Sequence, residues 1–266
     1  MPNQTFCERY GPWAVVTGAT DGMGRACAMS LAERGLNLVL VARRPERLAD
    51  LARTLQTRHG VTTRVVVADL AAPAGNQRLW AAIADLDVGL LVAAAGHGSA
   101  GPFLDLSLDN ELDMLAVNAR SVLEQVWHIG QRLKARGRGG IVLFGSLLGF
   151  HGTPGSANYA ATKAYVQSLA EALGVEWRAH GVDVLACAPG PVHTGFAARA
   201  HMQMGLAADP QAVAEVTLRA LGRRSTVRPG ALAKLLGWSL ATAPRAWRVR
   251  IMGVIMRGMT AARGAA

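Results

Sequence analysis

Apolar and polar positions alternate along this chain in blocks that read strand, helix, strand, helix. Trp13–Ala19 is a short apolar run that ends in a glycine-rich turn. Over Gly22–Arg34 the apolar residues Met23, Ala26, Cys27 and Leu31 fall at helical spacing, and Gly35 stops the pattern. Asn37–Ala42 is continuously apolar, as a strand buried on both faces should be. Pro45–His59 is a charged amphipathic helix closed by Gly60, and the strands Arg64–Ala68 and Gly89–Ala95 follow. A long helix is predicted from Leu108 to Ala135, interrupted at most by Gly130, then a strand at Gly140–Phe144. A helix over Ala157–His180 and a strand over Asp183–Ala188 complete the alternation. Strands joined by single helices imply parallel pairing through right-handed crossovers, hence a doubly wound α/β sheet. No linker or repeat divides the chain, so residues 1–266 are read as one domain, with about 191–266 forming a substrate loop and a C-terminal extension. That extension has a loop-like stretch at Pro191–Asp209, a helix near Gln211–Leu221, and helical apolar spacing over Ala246–Met259.

Composition changes this picture little, but charge adds to it. Half of the 266 residues are hydrophobic. The three cysteines, Cys7, Cys27 and Cys187, are odd in number and far apart, which fits a reduced, cytoplasmic setting. The start of the chain, Met1–Pro12, is polar and has no apolar signal core, and the uncharged run Leu235–Pro244 is too short to cross a bilayer. From Pro191 onward stand eleven Arg or Lys against only Asp209 and Glu215, which places +9 of the net +10 in that part. A chain built to bind nucleic acid would spread its charge differently, and no helix-turn-helix or zinc pattern is present. The seven histidines and three cysteines show no metal-ligand spacing.

The glycine turn is the first candidate site. Thr17, Gly18, Thr20, Asp21, Gly22, Met23 and Gly24 lie between the first strand and first helix. Glycines let a backbone approach a pyrophosphate, and a helix N-terminus offers it free N–H groups. An ordinary glycine-rich turn would look similar in isolation; the flanking strand and helix favour a dinucleotide. After the second strand, where an NAD site places a carboxylate, the chain has Arg43 and Arg44. Guanidinium groups suit a 2′-phosphate, so NADP(H) is the expected cofactor, the alternative being two solvated arginines at a helix start.

The second candidate site is Tyr159 and Lys163, four apart on a predicted helix and so on one face. An ammonium near a phenol lowers its pKa and fits it for proton transfer near neutral pH. Ser146, at the carboxyl end of a strand, could hydrogen-bond a substrate oxygen. Alone, such a Tyr/Lys pair arises by chance on surface helices. In combination and in this order, the glycine turn, Ser146, Tyr159, Lys163 and Pro189-Gly190 resemble the short-chain dehydrogenase/reductase family over roughly residues 12–195, and with it a Rossmann-like fold.

The resemblance implies that Tyr159 is the general acid/base, that Lys163 tunes it and holds the nicotinamide ribose, and that Ser146 polarises the carbonyl. It also implies a proton-relay role for Asn118, cofactor contacts from Asp69, Leu70 and Gly96, and a nicotinamide loop of Pro189, Gly190, Val192 and Thr194. The family's Asn-Asn-Ala-Gly reads Ala93-Ala94-Ala95-Gly96 here, a departure expected to cost stability rather than function. His97 and His151 read as pocket lining or surface.

The expected activity is NADPH-dependent reduction of a hydrophobic ketone, 3-oxoacyl-like or steroid-like, or the reverse oxidation. Ser146, Leu148 and Tyr159 are expected to contact substrate, within apolar walls from Leu147, Phe150 and the segment 196–206 with Met202 and Met204. The alternative is a dinucleotide-sensing binding protein without chemistry. The resemblance also implies a homodimer or homotetramer. The helix after Pro244, with Trp247, Ile251, Val254 and Ile255 among Arg245, Arg248, Arg250 and Arg257, reads as packing over the pocket or a neighbouring subunit, or as a peripheral membrane contact.

Overall fold

The computed structural model describes residues 2–196, 207–230 and 244–260. Seven parallel strands form one sheet in the order β3-β2-β1-β4-β5-β6-β7. They are β1 (Trp13–Thr17), β2 (Asn37–Ala42), β3 (Thr63–Val67), β4 (Val88–Ala93), β5 (Gly139–Phe144), β6 (Val182–Cys187) and β7 (Thr226–Val227). Between and around them run α1 (Pro2–Tyr10), α2 (Gly22–Glu33), α3 (Pro45–His59), α4 (Pro73–Ala82), α5 (Leu108–Leu115), α6 (Ser121–Arg136), α7 (Ala157–Glu176), α8 (Pro210–Ala220) and α9 (Arg245–Thr260).

The continuous apolar strands have their physical reason in two cores, one on each face. Val16, Leu40, Val92, Val142 and Leu185 meet Leu31, Leu48, Leu55 and Leu218 of α2, α3 and α8. Their chain neighbours Val15, Val39, Leu91, Ile141 and Val184 meet Leu79, Val126, Ile129 and Val166 of α4, α6 and α7. Period-two alternation therefore sends every second side chain to opposite faces, and both faces are dry. Each fully buried leucine contributes about 1.5–3 kcal/mol relative to exposure.

The order reverses at β1, which lies between β2 and β4. The loops after β1 and β4 therefore diverge to opposite faces, and a crevice opens at the strands' carboxyl ends. This doubly wound arrangement bears out the expected fold class.

Three features differ from the sequence reading. The long helix is not interrupted at Gly130; it breaks at a π-helical turn, Ala116–Arg120, between α5 and α6. Gly130 instead lies inside α6 against the Trp177 ring, which leaves no room for a Cβ. The predicted Ala157–His180 helix ends at Glu176 and tightens into a 3₁₀ turn over Trp177–His180. Finally, α1, α4 and the two-residue β7 have no counterpart in the apolar pattern.

Candidate functional site

The crevice holds a cavity of about 560 Å³. Its first wall is the β1–α2 turn. Gly18, at φ +67°, sits against the backbone of Ala94 and Ala95, where a Cβ would come within 2.8 Å of the Ala94 oxygen. Gly24 packs on the Gly18 carbonyl with no space for a side chain, which seats α2 on the turn. Asp21 caps α2, its carboxylate accepting from the Gly22 N–H at 2.7 Å. Backbone and helix N-terminus thus face the cavity, with Gly18, Thr20, Asp21, Gly22 and Met23 lining it. Thr17 and Gly24 stand behind this wall; the Thr17 hydroxyl accepts from the Ala95 N–H at 3.3 Å and ties β1 to the end of β4.

At the end of β2, Arg43 and Arg44 both line the cavity and no carboxylate lies between them. Arg43 is exposed; Arg44 reaches Thr20 Oγ1 at 3.4 Å and stands 3.9 Å from Asp21. Asp69 and Leu70, after β3, and Gly96, after β4, line the same side.

The opposite end is built by β5, α7 and the loop after β6. Ser146 begins a 3₁₀ turn over Leu147–Phe150, and its hydroxyl accepts from the Leu148 N–H at 3.2 Å. Tyr159 and Lys163, one turn apart on α7, are both buried and both face the cavity. The Lys163 ammonium lies 5.7 Å from the Tyr159 ring centre and donates to the Phe144 carbonyl at 2.8 Å. Burial pushes the Tyr159 phenol up to about 12, opposed by a hydrogen bond with Ser146. Burial also lowers the Lys163 ammonium to about 8. Pro189, Gly190, Val192 and Thr194 line the cavity beside them.

Asn118 does not line it. It lies in the π-helical turn, where its side chain accepts from the His97 N–H at 3.1 Å and donates to the His97 carbonyl at 2.8 Å and the Thr162 hydroxyl at 3.2 Å. Its Oδ1 presses on Gly96, where a Cβ would come within 2.8 Å. A π turn changes the register of the helix and turns this asparagine onto the loop after β4.

Leu147, Leu148, Phe150 and His151 line the cavity, as does His97, whose Nε2 stands 3.6 Å from Asp113. Met202 and Met204 fall outside the described residues. Phe196 packs against Tyr159 with its ring tilted by 50° and ring centres 5.2 Å apart, and Gly98 leaves both rings their space. Sequence reasoning did not find Phe144, Gly98 or Arg228. It had the α9 helix and, among its readings, a place over the pocket, but not the residues that make the contact. Met252 and Met256 are buried, and with Arg248 and Ile255 they close the cavity, while Gly253 packs on Pro154. One face of α9 therefore packs over the pocket, which was the simplest of its readings.

A doubly wound sheet with a glycine turn at its switch point, and a buried Tyr/Lys pair facing the same crevice, is the architecture of a dinucleotide-dependent oxidoreductase. The short chain dehydrogenase family model matches residues 12–205, and the chain belongs to that family. A 7beta-hydroxysteroid dehydrogenase of Clostridium sardiniense is 35% identical over 71% of this chain and 72% of its own. A very-long-chain 3-oxoacyl-CoA reductase of Podospora anserina is 37% identical over 69% of this chain and 55% of its own. Among solved structures, a short-chain dehydrogenase from Sphingobium yanoikuyae in complex with NADPH superposes with a TM-score of 0.79 at 27% identity, covering 89% of this chain and 98% of the other.

Proposed function

We propose that this protein interconverts an apolar ketone and its secondary alcohol with NADP(H), and that Tyr159 exchanges the proton. One observation carries the reading: Ser146, Tyr159 and Lys163 share a buried wall of the cavity whose other end presents the glycine turn, Arg43 and Arg44. The residues fit the cofactor. Glycine at 18 and 24 lets the turn close against the Ala94–Ala95 backbone and lets α2 seat on the Gly18 carbonyl, so that backbone and helix N-terminus face the cavity, and the two guanidinium groups suit a 2′-phosphate. Thr20, Asp21, Gly22, Met23, Asp69, Leu70, Gly96, Pro189, Gly190, Val192 and Thr194 would complete that site, with Thr17 bracing it from behind.

When bound, the nicotinamide supplies or takes the hydride. The chain's own residues handle the oxygen and its proton. Ser146 holds the carbonyl oxygen by a hydrogen bond, and Tyr159 donates its phenolic proton there as the alcohol forms. Lys163 keeps positive charge beside the resulting phenolate, against the cost of burying it. Asn118 fixes the loop at His97 and Gly96, and by family analogy carries the proton relay. Leu148 and Phe150, closed over by Met252 and Met256, favour a hydrophobic substrate, 3-oxoacyl-like or steroid-like. The relatives named above act on these two classes by name.

NADPH oxidation with a series of ketones of graded size tests the reading. Turnover is expected with bulky apolar ketones, and Tyr159→Phe should lower kcat by about 10²–10⁴-fold while NADPH binding persists. Near-normal turnover in a folded Tyr159→Phe protein would remove that residue from its role. NADPH binding without turnover on any ketone would favour the dinucleotide-sensing alternative. A homodimer or homotetramer is supported by exposed Leu112, Leu115, Leu123 and Trp127 along α5 and α6.

A further inference from the structure

The substrate end of the cavity carries charge that the proposed chemistry does not use. Arg228 follows β7, at the carboxyl end of the sheet's edge strand, and lines the cavity. Its guanidinium carbon stands 4.3 Å over the Phe150 ring, and its Nε is buried with no hydrogen-bond partner. A guanidinium stacked by its face keeps its in-plane N–H groups available for an oxyanion. Arg248 reaches the same cavity from α9. His151 registers the field there: burial first, then Arg248 and Arg228, hold its imidazole below the usual range. Among the described residues, the only carboxylates on the cavity wall are Asp21 and Asp69, both on the dinucleotide side. Arg43 and Arg44 also lie on that side, so the 2′-phosphate does not account for Arg228 and Arg248.

We infer that the substrate is an apolar ketone bearing an anionic group remote from its carbonyl, and that Arg228 and Arg248 hold that group. The inference rests on the ketone reading above and sharpens it. Phe150, Leu148, Met252 and Met256 take the apolar body, while the two arginines take the charged end. A carboxylate on a steroid-like side chain and a phosphate on an acyl-thioester carrier share this chemistry. Either would supply acceptors for the in-plane N–H groups of the guanidinium stacked on Phe150.

Matched substrate pairs test it on the full-length protein with NADPH. One pair is a steroid ketone with a carboxylate-ended side chain and its methyl ester; the other is a 3-oxoacyl phosphopantetheine thioester and its dephosphorylated form. In one pair the anionic member should be favoured about 10–100-fold in kcat/KM, chiefly through KM, and the preference should shrink as salt rises. Which pair shows it identifies the source of the anion. Arg228→Ala and Arg248→Ala should each remove most of that ratio, and Arg228→Lys should keep part, since charge survives without the planar fork. Calorimetric titration of the same pairs into the NADP⁺ complex reads anion recognition without turnover. Equal affinity of the wild type for both members of both pairs overturns the inference. So does a preference that persists in the Arg228→Ala/Arg248→Ala double variant. Tight anion binding without turnover would sink the reductase reading and leave the anion site standing.

Discussion

Arg43 directly follows β2 and lines the cavity at the end that presents the glycine turn. The residue after the second strand of a doubly wound sheet faces the ribose, so Arg43 needs no knowledge of packing to be located. Its test is cofactor choice. Arg43→Ala should weaken NADPH binding about ten- to a hundredfold and NADH binding much less, since a charged hydrogen bond is worth ~1.5–3 kcal/mol and only NADPH carries that phosphate. Equal losses measured by fluorescence titration would show that Arg43 reads something else. Lys163 makes a second prediction at this scale. Its ammonium is lowered to about 8 by burial, so it is charged below that pH and neutral above it. The profile of kcat/KM, which reports the free enzyme, should fall on the alkaline side above about pH 8. A flat profile up to pH 10 would contradict the role given to that charge. By contrast, Arg228, Gly98 and Phe144 carry no sequence signature. Their roles come from the pairing of β7, room for two rings and a strand end, none of which local pattern encodes.

The same division runs through the elements. Strands buried on both faces and helices with clean apolar stripes were visible, because burial on two faces or one leaves a period. The missed elements lack one. α4 opens Pro73-Ala-Gly-Asn and buries only Gly75, Asn76 and Leu79, so its sequence reads as a turn. α1 is polar and is held by its last residues. Tyr10 is buried, and its hydroxyl and the Arg9 guanidinium both donate to Asp183, at 2.7 and 2.6 Å. The π-helical turn at Asn118 was hidden inside an otherwise regular pattern. One interelement contact is open to direct test. Arg34 at the end of α2 grips Glu215 of α8 with two bonds, at 2.6 and 3.0 Å. The hydrogen bond to Arg34 holds the Glu215 carboxyl down at about 2, against its ordinary 4.5. A carboxylate lowered in the folded state stabilises above its unfolded value, and that contribution is lost as pH falls toward the folded one. Glu215→Gln should therefore cost about 1 kcal/mol at pH 7, a loss of roughly 2–4 °C in Tm. The gap to wild type should narrow from pH 4.5 downward. A gap independent of pH would mean that shape rather than charge is at work.

For the whole molecule, the uneven charge joins the fold to a surface question. After Glu215 the chain has ten Arg or Lys and no acidic residue. α9 carries part of that charge and has two apolar faces. Met252 and Met256 point inward and close the cavity, while Trp247, Ile251 and Val254 are exposed on the other side among exposed Arg245, Arg250 and Arg257. The two readings of this helix are therefore compatible, since one face can roof the pocket while the other meets a partner. We propose that the outer face rests on an anionic membrane. No helix among the described residues is long and apolar enough to cross one. A lipid-dissolved ketone would then reach the cavity beneath the same helix. Near such a surface each basic residue adds ~1 kcal/mol, and the exposed tryptophan is a side chain suited to the headgroup layer. Removing α9 would open the cavity as well, so truncation confuses the two roles. The cleaner variant is Trp247→Ser/Ile251→Ser/Val254→Ser, which alters only the outer face. It should bind phosphatidylserine vesicles at least tenfold more weakly than wild type in a flotation assay, and keep its kcat on a water-soluble ketone. Wild-type binding should fall as salt rises from 50 to 500 mM, values chosen to bring the screening length from roughly 14 Å to about 4 Å. A full-length protein that ignores such vesicles at low salt would assign the outer face of α9 to another copy of the chain, and the variant should then lower the mass measured by light scattering.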